Sequence, residues 1–261
     1  MIQTHPLFRT AGMAASDRIV PTRDEIVELD HDPAPPVPIE RTPSMAKPTP
    51  KRGNVIEYDL LLGRLLRQID DSASAGFVGF TACRRRSGVS TIAANVAIRA
   101  ADSRSGPVLL VDANTAHPSQ GRNFGVCVGP GLTELLDSKI TLDDAVTPTH
   151  VEGLSLLGPG EGNRGVSLAT MRESVEGIVQ ELRERYSLVV FDLPSGDSLS
   201  NWSPLVQSLD ALLLVIASEE TTQGDIRRIQ NQCLVDRVTL TGSVLNRHRR
   251  YLPRFLRRRH D

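Results

Sequence analysis

The sequence predicts a doubly wound α/β domain, in which a mainly parallel sheet carries helices on both faces. Apolar runs at 77–82, 107–112, 154–157, 187–192, 210–216 and 238–245 are short, β-branched or leucine-rich. They are continuous rather than alternating, as in strands buried on both faces. Helical spacing at 88–102, 167–185 and 221–234 separates these runs, and strands alternating with helices build a parallel sheet. Two of the runs end in an acid, Asp112 and Asp192, at the carboxyl ends of strands where such sheets bind ligands.

In chain order, residues 1–52 come first. Pro6, Pro21, Pro33, Pro35, Pro36, Pro38, Pro43, Pro48 and Pro50 fall here without a sustained period. Such a stretch buries too little apolar surface to offset its ordering entropy and is expected to be a disordered tail, extended around 33–38. It reads as a flexible leader or as a docking peptide. Residues 55–70 have helical spacing, with Arg64 and Arg67 three apart on one face. The single α/β domain is expected over 53–246, followed by a basic tail over 247–261.

The run 77–82 opens through Cys83-Arg84-Arg85-Arg86-Ser87-Gly88 into Val89-Ser90-Thr91 and an alanine-rich helix. Free N–H groups and the dipole at a helix start attract anions. The segment compares with the phosphate-loop pattern G-x-x-x-x-G-K-[ST]. Gly88 and Ser90 fit and Thr91 follows, but Cys83 stands at the first glycine and Val89 at the lysine. It is therefore a degenerate phosphate loop, the alternative being a strand-to-helix turn that holds nothing. Asp112 and Asp192 are placed as partners of a nucleotide-bound Mg²⁺, and either alone also suits a helix cap or a turn.

Composition narrows the function classes. The net charge is -1 and 4% of residues are aromatic, so nothing global points to nucleic acid. Cys83, Cys127 and Cys233 lie far apart and form no C-x-x-C pair, which argues against a zinc site or a disulfide scaffold and suits a reducing cytoplasm. No run reaches the ~18 apolar residues of a membrane helix, and residues 1–20 lack a signal peptide's apolar core. A soluble, cytoplasmic protein is expected.

The degenerate loop, Val111-Asp112-Ala113-Asn114-Thr115-Ala116-His117-Pro118, Gly131-Leu132-Thr133-Glu134-Leu135-Leu136, Phe191-Asp192-Leu193-Pro194 and Val244-Leu245-Asn246-Arg247 follow one another in order. Together they resemble the cytoplasmic domain of bacterial tyrosine autokinases of capsule and exopolysaccharide assembly, relatives of the MinD/ParA group of P-loop ATPases. The resemblance spans roughly 55–247 and implies ATP and Mg²⁺ as cofactors, with binding weakened or lost. It implies that Arg84, Arg86, Ser87, Gly88, Val89, Ser90 and Thr91 hold phosphates and that Asn246 contacts adenine. Ser90, Asp112 and Asp192 would hold the metal, and Asp112 would orient or deprotonate an attacking tyrosine hydroxyl.

The resemblance also implies a membrane-anchored polysaccharide co-polymerase (chain-length) protein as partner. It further implies homo-oligomers through an E-x-x-R-x-x-R helix, here Leu61, Arg64 and Arg67, whose acid is missing. The second acid and the arginine of the family's D-x-D-x-R-x-P motif are Asn114 and Ala116. A lysine at position 89 would supply a contact worth about 1.5–3 kcal/mol. The Arg84-Arg85-Arg86 run would replace it in part, Arg84 lying where MinD/ParA proteins carry a signature lysine, or would form a solvated, partner-facing loop. The tail has one tyrosine, Tyr251, amid arginines and apolar residues. It suits an anionic membrane surface, with a peripheral place at the inner membrane; nucleic acid, an acidic partner or plain solubilisation are the alternatives. Three readings follow: a degenerate relative that regulates polysaccharide assembly, ranked first; an active tyrosine autokinase; and a ParA/MinD-like positioning ATPase.

Overall fold

The computed structural model describes residues 3–5, 55–69, 75–103, 106–161 and 168–248. Among these, six strands form the parallel body of the sheet: β2 (Gly76–Ala82), β3 (Val108–Asp112), β5 (Leu154–Leu157), β6 (Leu188–Asp192), β7 (Ala211–Ala217) and β8 (Gly242–Asn246). Two short antiparallel strands close its edges, β1 (Gln3–His5) against β8 and β4 (Val146–Pro148) against β5. The spatial order is β1-β8-β7-β2-β6-β3-β5-β4.

Every residue of β2, β3 and β6 is buried. Successive side chains of β2 point to opposite faces, so Phe77 joins one core while Val78 and Phe80 join the other. Helices α1 (Val55–Gln68) and α2 (Val89–Ser103) bury Tyr58, Leu61, Leu65, Ile92, Val96 and Ala97 in the second core. Helices α6 (Leu168–Arg185) and α8 (Gln223–Val235) supply Val175, Leu182, Ile229 and Cys233 to the first. The sheet is thus covered on both faces, which is why its strands read as unbroken apolar runs.

Several elements depart from the sequence reading. The run 238–245 is strand only from Gly242; Val238 and Leu240 are buried in loop backbone, a burial that imitates the strand signal. Helices α3 (Gln120–Phe124), α4 (Leu132–Leu136), α5 (Leu142–Ala145) and α7 (Ser203–Gln207) and strand β4 are too short to produce a period and were not anticipated. Gln3–His5, within the stretch expected to be disordered, pairs with Ser243–Leu245 because the outer edge of β8 offers a free ladder. The proline-rich remainder of that stretch, and the tail with Tyr251, lie outside the described residues.

Candidate functional site

The carboxyl ends of β2, β3, β6 and β8 converge on the phosphate-loop-like turn. In the turn, Ser87 donates its hydroxyl to the Arg84 carbonyl at 2.8 Å. Arg86 and Gly88 both take left-handed backbone, with φ 62° and 96°. Gly88 is also the close approach of the loop, since a Cβ there would lie 2.2 Å from Asn246 Nδ2. Asn246 at the end of β8 donates that amide to the Ser87 carbonyl at 2.9 Å. Arg247 follows, donating Nη2 to the Arg86 carbonyl at 2.6 Å and pairing Nη1 with Glu220 at 2.8 Å. Asn246, the last residue of β8, and Arg247, which follows it, therefore both hold the loop backbone.

Asp112 and Asp192 are register partners on adjacent strands, both without solvent exposure. Asp112 Oδ1 accepts the Asn114 N–H, and Oδ2 accepts those of Ser119 and Gln120. Burial raises its pKa and the three backbone bonds oppose that rise. Asp192 Oδ2 accepts the Gln120 amide at 2.7 Å, and Ser90 also hydrogen-bonds its carboxylate. Its Oδ1 is buried with no partner among the described residues. Burial, then the charge of Asp112, push the Asp192 carboxyl up to about 7.

Ser87, Gly88, Ser90, Asp192 and Arg247 border a cleft of about 420 Å³. Its floor is Ser87 to Thr91 with Asp192, and Arg84, Arg85, Arg86, His117 and Arg247 stand around it. The first N–H groups of a helix lack intrahelical partners, so the start of α2 presents anion donors to this space. The orphaned Asp192 oxygen beside the Ser90 hydroxyl is an oxygen pair suited to a hard divalent cation. A Mg²⁺ ion fits these residues.

The structure brings together Arg84, Arg86, Ser87, Gly88, Val89, Ser90, Thr91 and Asp192, all on the cleft lining. It does not bring Asp112 there. Expected as base and metal ligand, Asp112 is sealed in and spends both oxygens on the backbone of the 114–120 loop. Asn246, expected at adenine, donates its side-chain amide to the Ser87 carbonyl of the loop and is not on the cleft lining. Val89, the first residue of α2, is 8% exposed and turned into the core, so the lysine position gives no cation. Arg84 pairs with Asp225 at 3.0 Å, a carboxylate held down to about 2 by the backbone and hydroxyl bonds of Thr222 and by Arg84 itself.

Two functional positions escaped the sequence reading. Gln120 is fully buried and donates to both the Ser90 carbonyl and Asp192; a lone glutamine in a polar loop carries no signal. Arg247 both closes the stretch Val244-Leu245-Asn246-Arg247 and opens the basic tail, and nothing in the sequence points to its bond with the Arg86 carbonyl.

No profile of a known protein family matches the chain. It is similar to the putative tyrosine-protein kinase CapB of Staphylococcus aureus, 25% identical over 169 residues, which is 64% of this chain and 73% of CapB. It is also similar to the tyrosine-protein kinase Ptk of Acinetobacter johnsonii, 24% identical over 61% of this chain but only 22% of Ptk. Among solved structures, the VpsO kinase domain superposes with a TM-score of 0.61 at 25% identity, over 75% of this chain and 95% of that one. The kinase domain of Escherichia coli ETK gives 0.67 at 20% identity, over 76% and 79%. MinD of Pyrococcus horikoshii with Mg-ADP gives 0.51 at 19% identity, over 65% and 69%. The fold is that of P-loop kinase domains and their MinD relatives. Among the described residues no helix is long and apolar enough to cross a membrane.

Proposed function

We propose, from the premise that this chain is a relative of the bacterial tyrosine-protein kinases, that it is a nucleotide-binding, kinase-like protein of capsule or exopolysaccharide biosynthesis. In this reading it regulates polysaccharide assembly or export with a membrane-anchored co-polymerase. The observation that carries the reading is the Ser90–Asp192 pair, with its unpartnered carboxylate oxygen, at the foot of a loop whose lysine is replaced by buried Val89. Binding machinery is retained while the usual catalytic cation is gone.

The chain's own residues divide the work. The loop amides and the start of α2 receive the phosphates of ATP or ADP. Ser90 and Asp192 would hold Mg²⁺, which supplies charge neutralisation to the phosphates when bound. Asp112 fixes the 114–120 loop, and through it Gln120, which holds Asp192 in place. Loss of the lysine removes a contact that stabilises the transferring group, an effect of roughly 100- to 1,000-fold in rate. Slow or absent phosphoryl transfer is the consequence.

A second reading, an active tyrosine autokinase, is favoured by the four arginines around the cleft. Incubation with γ-labelled ATP and Mg²⁺ separates the two. Bound nucleotide without label on protein supports the regulatory reading, label on Tyr251 that a Tyr251→Phe variant loses supports the kinase, and no nucleotide binding contradicts both.

A further inference from the structure

We infer that Arg247 supplies the phosphate-facing positive charge that position 89 lacks. The inference rests on the nucleotide-binding reading and adds to it the residue on which phosphate affinity depends. The lysine position is a largely buried valine, the first residue of α2, and carries no charge, so a cation at this end of the cleft has to come from another residue. Four arginines border the cleft, and they differ in how they are held. Arg85 and Arg86 are exposed, with no side-chain hydrogen bond or ion pair among the described residues. Arg84 and Arg247 are each ion-paired, Arg84 with Asp225 in the capping box of α8 and Arg247 with Glu220, so a counter-charge does not separate these two.

Arg247 alone is fastened to the loop backbone. Its Nη2 donates to the Arg86 carbonyl at 2.6 Å, while Nη1 meets Glu220 at 2.8 Å. A guanidinium has five N–H donors in a planar fork, so donors remain after these two bonds, and the group is already immobilised beside the turn that presents the helix-start amides. Asn246, one residue earlier, anchors the same loop at Ser87. The strand end thus sets the loop's shape with one residue and its charge with the next. A planar fork suits an oxyanion pair better than an ammonium does, and the class of ligand is a phosphoanhydride, as in ADP, ATP or pyrophosphate.

The test measures Mg²⁺·ADP and pyrophosphate binding by calorimetry for the full chain, Arg247→Gln, and the double variant Val89→Lys/Arg247→Gln, each checked for an unchanged melting temperature. Gln retains a side-chain N–H for the Arg86 carbonyl but not the charge. The expected result is a ~10- to 100-fold loss of affinity for both ligands in Arg247→Gln, recovered to within about threefold when the lysine is restored at 89. An unchanged affinity in Arg247→Gln overturns the assignment. A loss that Val89→Lys does not recover also overturns it, because it would mean that Arg247 only shapes the loop. Should the unaltered chain bind pyrophosphate but not nucleotide, the nucleotide reading falls while Arg247 is tested on pyrophosphate; binding of neither ligand overturns both.

Discussion

Asp112 and Asp192 stand side by side at the carboxyl ends of two adjacent parallel strands, and only Asp112 has both oxygens engaged. Its partner, a residue of the cleft lining, is left with one buried oxygen that has no partner among the described residues. Two acids that look equivalent along the chain are therefore separated into a loop anchor and a carboxylate with one unpartnered oxygen by the backbone that follows β3.

That separation makes Asp112→Ala a stability variant. It strands the N–H groups of Asn114, Ser119 and Gln120, of which Gln120 is fully buried, and each buried donor left unpaired costs about 1–3 kcal/mol. The expected loss is roughly 3–5 kcal/mol, or a melting temperature ~6–20 °C lower for a domain of this size. The expectation from sequence, an intact fold with lost chemistry, would return if the melting temperature of Asp112→Ala matched that of the parent.

Asp192 gives the protein a pH dependence of definite sign. Its folded pKa of about 7 lies above the ordinary carboxylate value of 3.8, so the folded state holds a proton that the unfolded chain releases. The stabilisation is fully present below about pH 4 and is lost as pH rises through 7, by on the order of 2–4 kcal/mol. Denaturant titrations between pH 4.5 and 8 without Mg²⁺ should show this fall, and Asp192→Asn should flatten it. A slope unchanged in Asp192→Asn would assign the fall to other groups.

Gly88→Ala meets two obstacles at once, a φ of 96° and a Cβ position 2.2 Å from Asn246 Nδ2. Left-handed backbone costs a non-glycine residue ~1–2 kcal/mol, and the collision adds to it. In a double-mutant cycle with Asn246→Ala the collision vanishes and the strain remains, so a coupling of at least ~0.5 kcal/mol is expected. Strict additivity of the two variants would show that Asn246 does not press on the loop.

Gln120→Leu keeps much of the volume but removes the amide that Asp192 and the Ser90 carbonyl share. A lost bond to a charged group predicts ~1.5–3 kcal/mol of destabilisation at pH 8. The loss should shrink at pH 5, where Asp192 is protonated. An equal loss at both values would make Gln120 a packing residue only.

The strands were legible because burial on both sheet faces leaves unbroken apolar runs, and 154–157 and 188–192 emerge almost residue for residue. The turn at Ser87–Thr91 was legible because strand, polar loop and helix follow within a few residues. What stayed hidden was partnership at a distance. Asp112 carries the same strand-end signature as Asp192, and only the later turn of residues 114–120 back onto its carboxylate distinguishes them. Arg247 and the Arg86 carbonyl lie 161 positions apart, and no local pattern encodes such a clasp. Gln3–His5 shows the same limit, since three residues become a strand only because β8 has an open edge.

The central claim is that the cleft binds a metal–nucleotide complex despite Val89. Calorimetric titration of the purified chain with ADP, with and without Mg²⁺, tests it directly. Saturable binding that Mg²⁺ tightens, and that tightening abolished by Asp192→Asn, is the predicted result. A ligand at 100 times its dissociation constant would also add about 2.7 kcal/mol to stability. No heat and no thermal shift at millimolar ADP with Mg²⁺ would contradict the account and leave a fold retained for its contacts with other proteins.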